Sequence, residues 1–458
     1  MGAATMIRTS EVRESLGPLL LRTIGVGPDV FRRAVIDSRE VRPGDLFVAL
    51  SGDRGDGHDH LPDALNRGAT GLLVQRAPEP LPNGTVGYVV ENVLPALQQI
   101  AGGHRKALSL EVAGVTGSVG KTTTKELAAF ILSRRYRVLK NDANYNNEIG
   151  LPLTLLKATP RHQRAVLEMG MYAPGEIRLL CDIARPRVGV VMNVHPVHLE
   201  RVGSIEGIAA AKAELIESLP KDGFAILNYD DARVNAMASK TKAKVLFFGT
   251  SPECDVVGSN LESKGLEGIS FNFGYGGESL RVKTRLPGRH LLPNALAAAT
   301  VALVEGMKLD EVAQALAVAR IPLRLHVYRG RNDSTILDDT YNASPASMLA
   351  ALELLADLPG RRIAVLGDMR ELGAEEEEGH RVVGREAARV AQLIYAVGEL
   401  GHLIGEEAKR AGHPAVTLYQ SKEEAARQLV DELQVGDVVL LKASRAMALE
   451  TILPEIKG

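Results

Sequence analysis

Only two cysteines, Cys181 and Cys254, occur in the 458 residues, far apart and in neither a CxxC nor a metal-ligand spacing. That scarcity excludes a disulfide framework and a cysteine metal site, and it fits a reducing compartment. Both thiols read as buried bystanders. Net charge is nearly absent too: Lys+Arg 54 against Asp+Glu 56 leaves -2, so no global attraction to nucleic acid or an anionic membrane is expected. An anionic ligand must then be held by local groups. No run approaches the ~20 apolar residues of a membrane span. Arg8, Glu11, Arg13 and Glu14 stand where a signal peptide would need its apolar core. A cytoplasmic monomer with no stable membrane insertion is expected. Neither a 20- to 50-residue repeat nor a low-complexity tract is found, which excludes a solenoid.

What the chain does have is 45% hydrophobic and 24% charged residues, the balance of a globular protein with substantial cores. Its length suggests three domains of roughly 100 to 200 residues. Residues 1–108 open with a helix-like segment and continue with the short apolar runs "DLFVAL", "GLLV" and "VGYVV" between turn-rich stretches, a small mixed α/β domain. The polar "GGHRKALS" reads as the linker that follows. From 109 to 320, "LEVAGVTG", "RAVLEMG", "RVGVVMNV" and "GFAILN" alternate with helices, which predicts a P-loop ATPase-like parallel sheet. Antiparallel hairpins over "DVVGSNLESKGLEGISFNFGYGGESLRVKTRL" are added to it. In 321–458, "STILDDTYN", "RRIAVLGDM", "LIYAVGEL" and "DVVLLKASR" alternate with helical stretches, a Rossmann-like third domain without GxGxxG. The expected fold class is α/β throughout.

"GVTGSVGKTTTKE", Gly114 to Glu126, supplies strand, glycine turn and helix in the order a phosphate loop requires. Gly117, Ser118, Val119 and Gly120 form the turn, and phosphate charge would sit at the helix N-terminus. Lys121 would neutralise the outer phosphates and the Thr122 hydroxyl would reach Mg2+, with Thr123 beside it. The first glycine of the general G-x4-G-K-[ST] pattern is replaced by Val115, so the match is TGxxGKT. The loop alone leaves three uses open: phosphoryl transfer, hydrolysis to drive motion, or activation of another group.

A second oddity lies in "SIEGIAAAKAELIESLP". Ile205, Ile208, Ala209, Leu215, Ile216 and Leu219 form one helical stripe, and Lys212 falls on it. Either its stem lies along apolar surface with the charge reaching water, or the amine has a chemical use. Glu168 ends "RAVLEMG" and His198 follows "RVGVVMNV", both at carboxyl ends of strands, where open α/β sheets place ligands. Thr122, Glu168, His198 and Lys212 thus converge on one sheet edge, although a histidine after a strand is equally a structural residue.

These motifs, with "NYNNEIGLPLTLL", "HLERVGSIEGIAAAKAEL", "GRHLLPNALAAA", "LDDTYNASPASMLAAL", "LGDMRELG" and "LLKASRAM", resemble the Mur ligases of bacterial peptidoglycan synthesis in order and across nearly the whole chain. "NYNNEIGLPLTLL" and "DDTYNASP" are similar to the member that adds a dipeptide, and the DNPR tetrapeptide of the diaminopimelate-adding member is absent. The resemblance implies an ATP- and Mg2+-dependent amide ligase. It would join D-alanyl-D-alanine to a UDP-N-acetylmuramoyl-tripeptide through an acyl phosphate. It also implies a carbamylated Lys212 formed with CO2; catalytic roles for Lys121, Glu168, His198 and Lys212; and metal contacts through Thr122, Glu168, His198 and Lys212. By the same resemblance Asn294 contacts adenine, Arg324 phosphate and Asp339 the ribose. Ser38 and Arg39 stand on the uridine-nucleotide side, and Asn144, Asn146 and Asn147 in a substrate loop. Ser38 and Arg39 also read as turn residues, and the asparagines as turn formers. The family pattern is departed from at Leu291, Ser344, Ala443 and Ala446. Another Mur-type ligase, the related folylpolyglutamate synthase and a P-loop switch are the other readings, and closure of the domains on ligand is expected.

Overall fold

The computed structural model describes residues 6–52, 55–142, 144–196 and 199–457. Three sheets organise the chain in sequence order. The first has five strands, with Leu20–Gly25 at one edge, then Val86–Val90, Gly71–Val74, Leu46–Val48 and Ala34–Val35. Its inner strands are buried along their whole length, as sheets covered on both faces must be.

The middle sheet has nine strands. Its parallel part runs Val138–Lys140, Arg164–Glu168, Glu111–Thr116, Val188–Val191, Phe224–Asn228, Lys244–Gly249 and Val256–Ser263. The last of these continues antiparallel into Ile269–Tyr275 and Glu278–Lys283, the hairpins expected from the sequence. Strand Glu111–Thr116 lies between Arg164–Glu168 and Val188–Val191, so the loops after all three open on the same edge. The third sheet is parallel over Thr335–Asp338, Val438–Lys442, Arg362–Gly367, Leu393–Val397 and Val416–Tyr419, with His326–Arg329 antiparallel at its edge.

The polar stretch expected as a linker is instead the end of a helix, Val93–Lys106, whose Ile100, Ala101 and His104 are buried. One continuous core joins Val12 and Leu97 of the first unit to Leu151, Leu180 and Leu215 of the second. The polarity of "GGHRK" concealed this because its histidine is satisfied inside the protein. His104 Nδ1 donates to Glu11 Oε1 at 2.7 Å and Nε2 to the Ala158 carbonyl at 3.0 Å. Two acceptors require both ring nitrogens protonated. Burial alone would lower the imidazolium pKa, but the Glu11 carboxylate and the Ala158 carbonyl raise it above the ordinary 6.5.

A folded value above the unfolded one makes this bridge stabilising below about pH 6.5, with the stabilisation lost as pH rises through the folded value. His104→Ala is expected to cost about 2 to 4 kcal/mol at pH 6, since it strands a mostly buried carboxylate. Urea unfolding of both proteins at pH 6 and pH 9 should find the smaller difference at pH 9. An equal or larger difference at pH 9 contradicts the charged bridge.

Candidate active site

Strand Glu111–Thr116 leads through the glycine turn into helix Lys121–Leu132. Thr116 Oγ1 donates to the Met169 carbonyl at 2.9 Å, tying the end of the strand to its neighbour. Lys121 Nζ donates to the carbonyls of Gly117 at 2.7 Å and Ser118 at 3.1 Å, curled over the loop it follows. Burial lowers the pKa of this ammonium, the Glu168 carboxylate opposes the fall, and Arg324 adds to it. A cation so placed gains from an incoming polyphosphate.

Thr122 Oγ1 donates to Glu168 Oε2 at 2.8 Å. The carboxylate is 1% exposed, and a buried charge needs partners on every side. Asn146 Nδ2 donates to Glu168 Oε1 at 2.8 Å, while Asn141 holds the backbone of Glu168 through both ends of its amide, at 2.9 and 3.0 Å. Asn141 is itself held from below, where the fully buried Lys125 donates to its carbonyl at 2.7 Å. The "NYNNE" asparagines therefore divide their work. Asn146 orients Glu168, Asn147 Oδ1 accepts from Gly150 N at 2.9 Å at the start of helix Gly150–Leu155, and Asn144 lines the cleft.

Lys212 lies on helix Ile205–Glu217, whose Ser204 cap accepts from Gly207 N at 3.0 Å. The side chain is buried, not snorkelling. Burial first, and then the charge of Lys121, push its pKa well below the usual lysine range. On a face shared with Ile208 and Ile216, the amine is thus held toward its neutral, nucleophilic form. His198, the remaining member of the expected set, lies outside the described residues.

From the third domain, Arg324 Nη2 donates to Thr122 Oγ1 at 3.3 Å while its guanidinium stacks 4.0 Å from the Tyr341 ring centroid. Asp339 Oδ2 accepts from the buried Lys442 Nζ at 2.6 Å, which fixes the carboxylate beside the same cleft. The cleft encloses about 860 Å³, and residues of the phosphate loop, Glu168, Asn294, Arg324 and Asp339 line it together. Ser38 and Arg39 are not part of it. They sit at the 3₁₀ turn Ser38–Glu40 of the first unit, where Asp37 caps the turn and pairs with Arg39 at 2.6 Å, and Arg33, Arg39 and Arg42 line a separate recess.

Three residues that line the cleft were not singled out from the sequence: Asn193, His195 and Asp231. Asn193 Oδ1 accepts from Val119 N at 2.8 Å and its Nδ2 donates to the Val119 carbonyl at 3.0 Å. His195 N donates to Ser118 Oγ at 2.9 Å, which in turn donates to the His195 carbonyl at 3.0 Å. Asp231 caps helix Ala232–Ala236 and also accepts from Val194 N at 2.8 Å. The available signal for Asn193 and His195 was position, since "MNVH" directly follows strand Val188–Val191 on the edge that carries the phosphate loop.

Two departures from the family pattern have local reasons. Ser344 caps helix Pro345–Ala356 in a reciprocal arrangement with Ser347, a role for which serine is well suited. Ala443 is fully buried, and a Cβ on Gly367 would lie 2.9 Å from its methyl group, so the pair is size-matched. Nothing in the structure explains Ala446.

Three family models match consecutive stretches: "Mur ligase family, catalytic domain" over residues 33–105, "Mur ligase middle domain" over 115–302, and "Mur ligase, glutamate ligase domain" over 323–445. The UDP-N-acetylmuramoyl-tripeptide–D-alanyl-D-alanine ligases of Synechocystis sp. and Escherichia coli are each 37% identical to this chain. These alignments cover 97% and 93% of the chain and 96% and 94% of the relatives. Among solved structures, MurF from Acinetobacter baumannii superposes with a TM-score of 0.88 at 29% identity over 99% of both chains. The MurF ligase of Thermotoga maritima in complex with ADP gives 0.80 at 34% identity, over 92% of this chain and 96% of its own.

Proposed function

The chain belongs to the Mur ligase family, and from that premise we propose that it joins D-alanyl-D-alanine to UDP-N-acetylmuramoyl-tripeptide at the expense of ATP, yielding the pentapeptide precursor of peptidoglycan, ADP and phosphate. The observation that carries this reading is the convergence of Lys121, Thr122, Glu168 and Arg324 on one cleft between two domains. The full-length likeness to ligases of this name supports it, and the ADP-bound relative supports a nucleotide in the cleft.

A carboxylate is a poor acyl donor in water because its oxygen leaves badly. One oxygen of the tripeptide carboxylate attacks the γ-phosphorus and ADP departs, leaving an acyl phosphate. The dipeptide amine then attacks the acyl carbon, loses a proton, and inorganic phosphate departs with the original carboxylate oxygen. Such steps need positioning and charge neutralisation more than a protein nucleophile. Lys121 and Arg324 offset charge on the transferring group from opposite domains, so catalysis requires both domains to close on the substrates.

Thr122 and Glu168 present a hydroxyl and a buried carboxylate 2.8 Å apart, a hard oxygen set that suits Mg2+. They would hold one Mg2+, and His198 with a modified Lys212 would hold a second. When bound, Mg2+ supplies charge neutralisation at the phosphates. Burial that pushes the Lys212 ammonium toward its neutral form fits carbamylation: the amine nitrogen would add to CO2, an N–C bond forming as a C–O π bond breaks and a proton leaves, and the apolar face would then carry an anion.

Residues 109–320 bind ATP, 321–458 the incoming dipeptide, and 1–108 the uridine nucleotide through Ser38 and Arg39. The asparagine loop with Asn144, Asn146 and Asn147 meets the tripeptide end. The enzyme works as a cytoplasmic monomer; among the described residues no helix is long and apolar enough to cross a membrane. Phosphate release measured with each acceptor omitted in turn tests this function. Release is expected only when UDP-N-acetylmuramoyl-tripeptide and D-alanyl-D-alanine are both present. Turnover with a single amino acid in place of the dipeptide, or with no acceptor, overturns it.

A further inference from the structure

Deepening the proposed function, and resting on it, we propose that Lys125, acting through Asn141, is a positioning residue that ties the phosphate-loop helix to Glu168 and to the loop that meets the tripeptide. Lys125 lies one turn beyond Lys121 in helix Lys121–Leu132 and is fully buried. Its Nζ donates to the Asn141 carbonyl at 2.7 Å and pairs with Glu126 Oε1 at 3.1 Å, and Lys140 holds Glu126 Oε2. A buried ion pair is weak support for a fold, since apolar side chains of similar volume often serve stability as well or better. Stability therefore does not account for a lysine at this place, whereas its grip on Asn141 has a use.

Asn141 follows strand Val138–Lys140 at the edge of the middle sheet and is fully buried as well. Its Oδ1 accepts from Glu168 N at 2.9 Å, and its Nδ2 donates to the carbonyls of Glu168 at 3.0 Å and Tyr145 at 2.9 Å. Both amide hydrogens are then committed. One side chain thus fixes the end of strand Arg164–Glu168 and, through Tyr145, the loop that carries Asn144, Asn146 and Asn147.

That loop has little slack. Gly170 N donates to the Asn146 carbonyl at 2.9 Å, and a Cβ on Gly170 would lie 3.1 Å from the Asn146 side chain. A Cβ on Gly150 would lie 2.4 Å from Tyr145 Cα, a backbone approach that only glycine permits. The Asn141 carbonyl is where this tight unit meets the nucleotide side. Direct bonds therefore run from the helix that begins with Lys121, through Lys125 and Asn141, to the carboxylate strand and the asparagine loop, and they hold ATP and the tripeptide carboxylate in register.

Lys125→Met is expected to lower kcat/KM for UDP-N-acetylmuramoyl-tripeptide by about 10- to 100-fold, as a misplacement that begins away from the chemistry does. KM for D-alanyl-D-alanine, which meets the third domain, should stay within about twofold of the wild type. Asn141→Ala should cost at least as much, and the double variant should lose less than the product of the single losses, because both cut one link. Lys125→Met leaves the Glu126 carboxylate with Lys140 alone. Lys125→Met/Glu126→Gln should therefore melt at a higher temperature than Lys125→Met while the kinetic defect persists, and it carries the comparison if the single variant is too unstable to assay. A silent Lys125→Met, ligation that returns with the melting temperature, losses that multiply, or a dipeptide KM that rises as steeply as the tripeptide's overturns the assignment.

ATP binding, measured without acceptors, reads the Glu168 end by itself. In the absence of Mg2+, Lys125→Met should bind ATP within about threefold of the wild type, and the affinity gained on adding Mg2+ should shrink by about fivefold or more. An undiminished gain, or an equal loss of binding without Mg2+, overturns the link to Glu168 whether or not the protein ligates. Absent ligation by the wild type defeats the proposed function, and the binding comparison still decides the role of Lys125.

Discussion

Lys212→Ala is expected to lower ligation by about 100- to 1,000-fold, and millimolar formate or acetate should restore part of it. The expectation follows from burial. The Lys212 side chain is buried on the helix face it shares with Ile208 and Ile216, with the Lys121 cation as its charged neighbour. A protonated amine there opposes Lys121, whereas a carbamate complements it. Alanine removes the anion and leaves room for a small carboxylate to take its place. Lys212→Arg should be as inactive as alanine and resist rescue, because a guanidinium neither loses its proton nor adds CO2. The fold should survive, since truncation removes a buried amine whose charged form was disfavoured; an unfolding midpoint near that of the wild type checks this. Activity of Lys212→Ala within about threefold of the wild type, too small a change for a lost charge at the reaction centre, would refute the role.

Periodicity put that lysine on the apolar face of "SIEGIAAAKAELIE", but a snorkelling stem explained it equally well from spacing, and the chemical use came from the family resemblance; its burial is what the structure adds. The phosphate loop was legible from its parts, strand, turn and helix each having its own local signature around Gly117 to Thr122. The hairpins of residues 256–283 followed from their turn residues. What stayed hidden is tertiary satisfaction. Nothing local in "NYNNE" tells Asn146, which braces Glu168, from Asn147, which begins a helix. Nothing in "VMNVH" announces that Asn193 clasps Val119, 74 residues earlier. The misread linker has the same origin. His104 looks like a surface residue until Glu11 and Ala158, 93 and 54 residues away, supply its partners.

Glu168→Gln should prove the more severe change, with kcat/KM reduced by about 1,000-fold or more. Glutamine has the same shape, so Leu167 and Met169 on either side stay packed and the strand keeps its pairing with Glu111–Thr116. The charge is what disappears, and the site was arranged around it. Thr122 donates to one carboxylate oxygen and Asn146 to the other. A glutamine amide can keep both contacts only by reversing one, its oxygen accepting from Asn146 and its NH2 donating to the Thr122 hydroxyl, so the bonds survive while the negative charge they were built around does not. Lys121 loses the carboxylate that keeps its proton in place against burial and Arg324, so the ammonium meant for the outer phosphates becomes easier to deprotonate. Both consequences can be measured apart from turnover. Binding of ATP to Glu168→Gln should gain much less from added Mg2+ than binding to the wild type, and the alkaline limb of nucleotide binding should move to lower pH. Glu168→Asp retains the charge but shortens the reach, and is expected to recover the Mg2+ dependence without the full rate. If Glu168→Gln binds ATP with an undiminished Mg2+ effect and turns over within about tenfold of the wild type, the buried carboxylate only supports the loop, and its place in the chemistry must pass to another residue.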